Sequence, residues 1–250
     1  MWYTENMKDK AAMTLDRVLS RFGRGSRTVA SEWIRAGRVK VNGRIVRNPD
    51  TWVRPGQDAL HLDGTRLKQA RKIYLLFYKP KGVITSHGDP DARDTVYDYL
   101  DGRIPWVVPI GRLDRDSSGL LLLTNDTDFA DFVSNPESGI AKTYLVKING
   151  LISDETIAQL LSGVKMKRGD WARPRSARRI EDRGKYSRLE IVLVEGKNRE
   201  VRRMMEAVGF TVLKLVRTAI GPLTLQGLEI GKYRILTRAE VSSLRQSHER

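Results

Sequence analysis

The sequence has no cysteine and only three histidines, His61, His87 and His248. The first absence excludes a disulfide scaffold, thiolate zinc sites, iron–sulfur clusters and cysteine nucleophiles. No two of the histidines lie at metal-ligand spacing, so no metal site is expected from them. Gly196-Lys197 lacks the preceding glycine of a phosphate loop and carries Asn198 where Ser or Thr would stand, and no dinucleotide fingerprint follows a strand. No cofactor is therefore expected. Apolar runs such as Leu120 to Leu123 fall far short of the roughly 18 residues of a membrane span. Met1-Trp2-Tyr3-Thr4-Glu5-Asn6 lacks the charged and apolar regions of a secretory signal. A soluble cytoplasmic protein without a membrane partner is the expectation. At 250 residues the chain suits one large domain or two modest ones. Its hydrophobic share of 40% is low, yet enough at this length for a sizeable core.

Positive charge is abundant. Lys and Arg number 45 against 30 Asp and Glu, a net +15, and the pI is near 10.2. Such a surface suits a polyanion, of which nucleic acid is the commonest. The balance is uneven: +7 over residues 1–70, −3 over 71–140 and +11 over 141–250. A basic chain with an acid-rich middle suggests a binding surface around a site that uses carboxylates.

Leu15, Val18, Leu19 and Phe22 recur at helical spacing, with Gly23 and Gly25 as stops. A second helix follows Ser26, placing Val29, Ala30, Trp33 and Ile34 on one face and ending at Gly37. Val39 to Val46 alternates around Asn42-Gly43, which supplies both positive-φ positions of a type I′ turn and predicts a tight hairpin. Pro55 to Asp58 reads as a turn into the strand Ala59 to Leu62. Around this unit stand Arg17, Arg21, Arg24, Arg27, Arg35, Arg38, Lys40, Arg44 and Arg47, a cationic side suited to a phosphate backbone. Leu15-Asp16-Arg17, Gly23, Ser26-Arg27, Ala30, Ile34 and Gly37 to Gly43 together resemble the S4 RNA-binding domain. The resemblance implies binding of structured RNA, with Arg17, Arg21, Arg27, Arg35, Arg38, Lys40 and Arg44 as candidate contacts.

Residues 63–72 are polar and basic and read as a linker. Ile73 to Tyr78 is a buried strand closed by Lys79-Pro80-Lys81-Gly82, Thr95 to Leu100 a short helix, and Trp106 to Ile110 a further strand. The segment Gly111-Arg112-Leu113-Asp114-Arg115-Asp116-Ser117-Ser118-Gly119, followed by four leucines and Thr124-Asn125-Asp126, is a polar loop clamped between apolar strands. A carboxylate held there at the edge of a core, with arginines beside it, can serve as nucleophile or base. Taken alone, such an aspartate also suits a cap or an arginine partner.

Gly111-Arg112-Leu113-Asp114 with Ser118 to Asp126 resembles the catalytic motif of the RsuA/RluB family of ribosomal RNA pseudouridine synthases. Lys142-Thr143-Tyr144-Leu145-Val146, Glu195 to Met204, and Leu215-Val216-Arg217 with Ile220 to Leu223 match further segments in order. The resemblance implies Asp114 as the essential carboxylate and Tyr144 as the strand tyrosine against the target base. Leu215 would pack near that base, and Arg112 and Lys142 are candidate substrate contacts. A basic residue pairing with Asp114 is placed on Arg202, with Arg199 and Arg203 as alternatives. It implies isomerisation of one uridine to pseudouridine by base flipping, without metal or cofactor, on ribosomal RNA free or in an assembling subunit, by a monomer.

Each feature has a plainer reading. Tyr144 lies on an alternating strand where an aromatic is commonly core, and Arg202 lies on a helix, 200–208, where arginine is commonly solvated. Residues 165–188 carry 10 basic and 3 acidic residues with Trp171 and Tyr186, either a solvated face or a second phosphate-tracking surface. The pairs Asp114/Asp116 and Asp126/Asp128 would permit a metal-dependent nuclease, though flanking arginines oppose a cation. A non-catalytic RNA-binding or ribosome-assembly factor on the same scaffold is the remaining alternative. The expected fold is α+β: residues 1–12 a tail, 13–62 the helix–helix–hairpin S4-like domain, 63–72 a linker, and 73–245 a catalytic domain on a mixed, largely antiparallel sheet.

Overall fold

The computed structural model describes residues 12–68, 70–89, 91–167 and 169–246. His248 and, except for Ala12, the N-terminal tail lie outside the described residues. The chain divides into two compact units. Among the described residues, one holds those up to Ile73 together with 101–108 and 125–127, and the other holds the rest.

In the first unit, β1 (Met13–Thr14) leads into α1 (Leu15–Arg21), and α2 (Arg27–Arg35) follows. Ser26 caps α2, its hydroxyl accepting from the Val29 N–H at 3.2 Å. Thr14 caps nothing; its hydroxyl donates to the Asp16 carboxylate instead. The apolar faces of both helices close on Leu15, Val18, Leu19, Phe22, Ala30 and Ile34. The hairpin of β2 (Val39–Val41) and β3 (Arg44–Ile45) turns at Asn42 and Gly43, whose φ values of 50° and 82° are those a type I′ turn demands. β4 (Trp52–Val53) pairs with β1. β5 (Leu60–Leu62) lies beside β2, and β6 (Thr65–Arg66) beside β5. The last strand revises the reading of 63–72 as linker throughout. Asp63-Gly64 is a turn, with φ of 50° and 77°, and Leu67 is buried in the same core. Farther along, Lys72 pairs with Asp126 at 2.8 Å and the Ile73 N–H donates to the Asn125 side chain at 2.9 Å.

The second unit is built on one sheet. Its strands are β7 (Tyr74–Lys79), β8 (Val108–Ile110), β9 (Ser118–Thr124), β10 (Lys142–Asn149), β13 (Ser176–Arg183), β14 (Tyr186–Leu193), β15 (Val212–Ile220), β16 (Leu223–Thr224) and β17 (Tyr233–Ile235). The order is β13-β14-β10-β15-β9-β7-β17, with β16 on β15 and β8 on β9. β11 (Val164–Lys165) and β12 (Trp171–Ala172) form a separate ladder. The long ladders are antiparallel except β15 beside β9, which is parallel, so the sheet is mixed and largely antiparallel as expected. Helices α3 (Thr127–Ser134), α4 (Asp154–Ser162), α5 (Glu200–Ala207) and α6 (Arg238–Gln246) complete the chain.

The sheet carries two apolar clusters. One gathers Val146, Leu189 and Ile191 with Val201, Met204 and Met205 of α5. The other gathers Leu120, Leu122 and Ile220 with Phe129 and Val133 of α3. Among the described residues, no helix is long and apolar enough to cross a membrane.

Candidate active site

The loop from Gly111 to Ser117 joins β8 to β9 and is fastened by backbone carbonyls. Lys79, at the end of β7, is 0% exposed. Its ammonium donates to the carbonyls of Pro80 at 3.0 Å, Asp114 at 3.2 Å and Ser117 at 2.9 Å. Burial pulls its pKa down to about 8, against the opposing pull of Asp114 and Asp116. Thr85 accepts from the Leu113 N–H and donates to the Leu113 carbonyl, and the Gly82 N–H donates to Arg115. A loop with so many of its carbonyls engaged keeps its carboxylates in place.

The Asp114 side chain is 29% exposed, and Arg199 approaches it at 3.4 Å while reaching Asp116 at 3.3 Å. This corrects the assignment of that contact to Arg202. Arg199 is the N-cap of α5, held in the left-handed region at φ 50°, and reaches Asp114 from there. Arg202 lies one helical turn on, and its guanidinium lies beneath the loop: it pairs with Asp116 at 3.2 Å and donates to the carbonyls of Asp116 and Val212. Arg203 is taken by Asp170 at 2.7 Å. The Asp114/Asp116 pair is thus matched by arginines, and among the described residues no group of three His, Asp or Glu converges as a metal site would require.

Asp114 opens onto a cavity of about 500 Å³ at the junction of the two apolar clusters. Tyr144, Leu193, Val201 and Leu215 line it from one cluster, and Ile110, Val133 and Ile220 from the other. Arg112, Lys142, Lys197, Arg199 and Arg217 supply its cations. Of the residues singled out for this site, Asp114, Tyr144, Arg112, Lys142 and Leu215 all line the cavity; Arg202 stands behind its wall. Lys142 donates to the Val194 carbonyl at 3.3 Å, and burial holds its pKa below the usual lysine range. An apolar cavity of this size with a few convergent polar groups suits a small planar ligand part.

Lys79 and Arg217 are among the charged residues of the site that carried no assigned role in the sequence. Lys79 looked like the start of a loop because Pro80 follows it. Arg217 is 4% exposed, donates to the Leu120 carbonyl at 2.7 Å, and keeps a buried guanidinium nitrogen, Nη2, without a hydrogen-bond partner. Its signal was a charge inside the otherwise apolar strand Leu215 to Ile220. Gly119 makes room for it: at φ 124°, a Cβ there would overlap the Arg217 backbone.

In the first unit Arg17, Arg27, Arg35, Arg38, Lys40 and Arg44 are exposed and Arg21 is half-buried. Arg27 pairs with Asp16 at 2.7 Å and Arg38 with Asp63 at 2.6 Å, and Arg38 lies over the Trp33 ring. In the 165–188 run, Arg178 pairs with Glu190, Arg188 with Glu181, and Arg179 with Asp154, so part of that charge is neutralised on the sheet itself.

Comparison with known proteins follows the same division. The family described as RNA pseudouridylate synthase matches residues 73–207, and the S4 domain matches residues 13–58. Ribosomal large subunit pseudouridine synthase B of Bacillus subtilis (strain 168) is 39% identical over 233 residues, 92% of this chain and 95% of its own. An uncharacterised RNA pseudouridine synthase of Aquifex aeolicus is 36% identical over 92% of each chain. Among solved structures, the crystal structure of a pseudouridylate synthase superposes with a TM-score of 0.65 at 28% identity, covering 93% of this chain and 99% of that one.

Proposed function

The chain belongs to the RNA pseudouridylate synthase family, and from that membership we propose that it converts one uridine of large-subunit ribosomal RNA to pseudouridine. The observation that carries the reading is the Asp114 carboxylate, held by a lysine-braced loop at an apolar cavity with Arg199 beside it. The isomerisation breaks the C1′–N1 bond and joins C1′ to C5; the proton leaves C5 and N1 gains one, so no net reactant is consumed. Asp114 acts at the sugar, by adding to C1′ or by taking a ribose proton, and Arg199 balances its charge. Arg202 keeps the neighbouring Asp116 and the loop backbone in place from behind.

A uridine reaches such a cavity only by leaving its stack, and it needs faces to replace the lost stacking. Tyr144 and Leu215 supply them. Lys142, Arg112 and the unpaired nitrogen of Arg217 meet the polar edge and flanking phosphates. The S4 domain binds the RNA through Arg17, Arg35, Lys40 and Arg44, which make no ion pair among the described residues. Arg27 and Arg38 contribute less, because their guanidinium groups already pair with carboxylates. The enzyme acts in the cytoplasm as a monomer.

The test is pseudouridine mapping of ribosomal RNA from a strain lacking the protein, complemented with wild type or Asp114→Asn. One large-subunit uridine should lose its modification and regain it only with wild type. In vitro the variant should be slower by about three orders of magnitude or more, the scale for removing one nucleophile or base. Full modification in the deletion strain would overturn the reading in favour of an assembly factor.

A further inference from the structure

The wall of the cavity opposite the loop holds an acid that the proposed reaction does not use. Glu200, the first residue of α5, is 4% exposed and lines the cavity. One carboxyl oxygen, Oε2, accepts the Lys197 N–H at 2.9 Å. The other, Oε1, is buried with no donor directed at it. A buried acceptor left in this way is unfavourable unless a donor reaches it. The group within hydrogen-bonding reach is the carboxyl of Glu195, also at the cavity wall. Two carboxylates offer four acceptor oxygens and no donor, so contact between them is favourable only with a proton in between.

We infer that Glu195 and Glu200 share one proton at neutral pH, and that this proton positions Arg199 against Asp114. The linkage is short in sequence. Glu195 ends the segment leaving β14, Lys197 donates its backbone N–H to Glu200, and Arg199 immediately precedes the helix. With the proton in place, the two carboxyls and the Lys197 amide tie both ends of the Glu195–Glu200 loop together, and Arg199 leaves that loop already directed at Asp114. Without it, the carboxylates repel, Glu195 keeps only its existing ion pair with the Lys197 ammonium at 2.9 Å, and the loop loosens. The charged groups facing the pair are Lys197 on the same loop and Lys142 from β10, with Arg217 of β15 acting on Lys142. Burial and the neighbouring carboxyl together push Glu200 up to about 7, consistent with a proton retained into the neutral range. Glu195 and Glu200 are positioning residues here, acting through Arg199 on Asp114.

The experiment has two parts. Carbon-13 carboxyl titration of glutamate-labelled protein should find one glutamate titrating near neutrality in the wild type, absent from Glu200→Gln, and moved down in Glu195→Gln. This part does not depend on the RNA reading, and glutamates titrating only in the ordinary range would overturn the shared proton. The second part rests on the proposed activity: pseudouridine formation followed from pH 6.5 to 8.5. The wild-type rate should fall by roughly tenfold across that range. Glu200→Gln, with a permanent amide donor, should fall far less, while Glu200→Ala should be slow throughout. Lys79 also titrates in this range, so the difference between wild type and Glu200→Gln carries the result. Parallel profiles for those two proteins would overturn the positioning role, whereas absence of product at every pH would sink the functional reading and leave the carboxyl titration to decide the pair.

Discussion

Gly119 shows how one residue holds the site together. It sits where β9 runs parallel to β15, paired with Arg217, and its φ of 124° leaves no room for a side chain. Gly119→Ala forces a backbone clash and a conformation that alanine rarely adopts. It should cost about 2–4 kcal/mol, read as a lowered denaturant midpoint with an unchanged slope. It should also disturb Arg217 and slow the reaction in whatever protein still folds. Glycine at this position was visible in the sequence, but its reason was not, because the clash lies 98 residues away. The same limit explains what the motifs revealed. Asp114, Tyr144, Lys142, Leu215 and Arg112 stand in contiguous segments whose pattern is legible, and all reach one cavity. Lys79 and Arg217 are single charges whose burial is decided by strands distant in sequence. The contact of Arg199 rather than Arg202 with Asp114 turned on a left-handed N-cap, which the helix periodicity does not encode.

Elements were legible where the local rules agree with the global fold. The Asn42-Gly43 hairpin and the Ser26-capped helix formed as their sequences predict, while Asp63-Gly64 was passed over as polar linker though it closes a hairpin of the same kind. The last helix offers a quantitative test. Thr237 and Glu240 form a reciprocal cap at the start of α6, and Arg234 holds the Glu240 carboxylate at 2.7 Å. These donors pull the Glu240 pKa down to about 2. A carboxylate lowered on folding stabilises above its unfolded pKa of 4.5, and that stability is lost as pH falls toward 2. Glu240→Gln should therefore cost about 1 kcal/mol at pH 7, given partial solvent screening, and the difference from wild type should shrink on acidification. Thermal melts at pH 7 and pH 3 would show it. A difference that persists unchanged at pH 3 would contradict this account of the cap.

For the whole molecule, the surplus of positive charge is the dominant feature, and its use is testable without knowing the target uridine. Binding of a ribosomal RNA fragment should weaken steeply with salt, by about five-hundredfold between 50 and 200 mM if roughly five phosphates are met. Arg17→Ala and Lys40→Ala should each reduce the slope of log affinity against log salt by about one. Arg38→Ala should change it less, since that guanidinium is bound to Asp63. An unchanged slope in all three variants would place the RNA on another surface.

The parallel pairing of β15 with β9 has a consequence in time. Asp114 is made early, but Arg199, Arg202, Leu215 and Arg217 come 85 to 103 residues later, and β15 must slot between β10 and β9 before any of them meets it. A ribosome making this protein therefore releases most of the chain before the carboxylate has its arginine or the cavity its second wall. Until then the growing chain can present its leading cationic helices to RNA but has no means of acting on it.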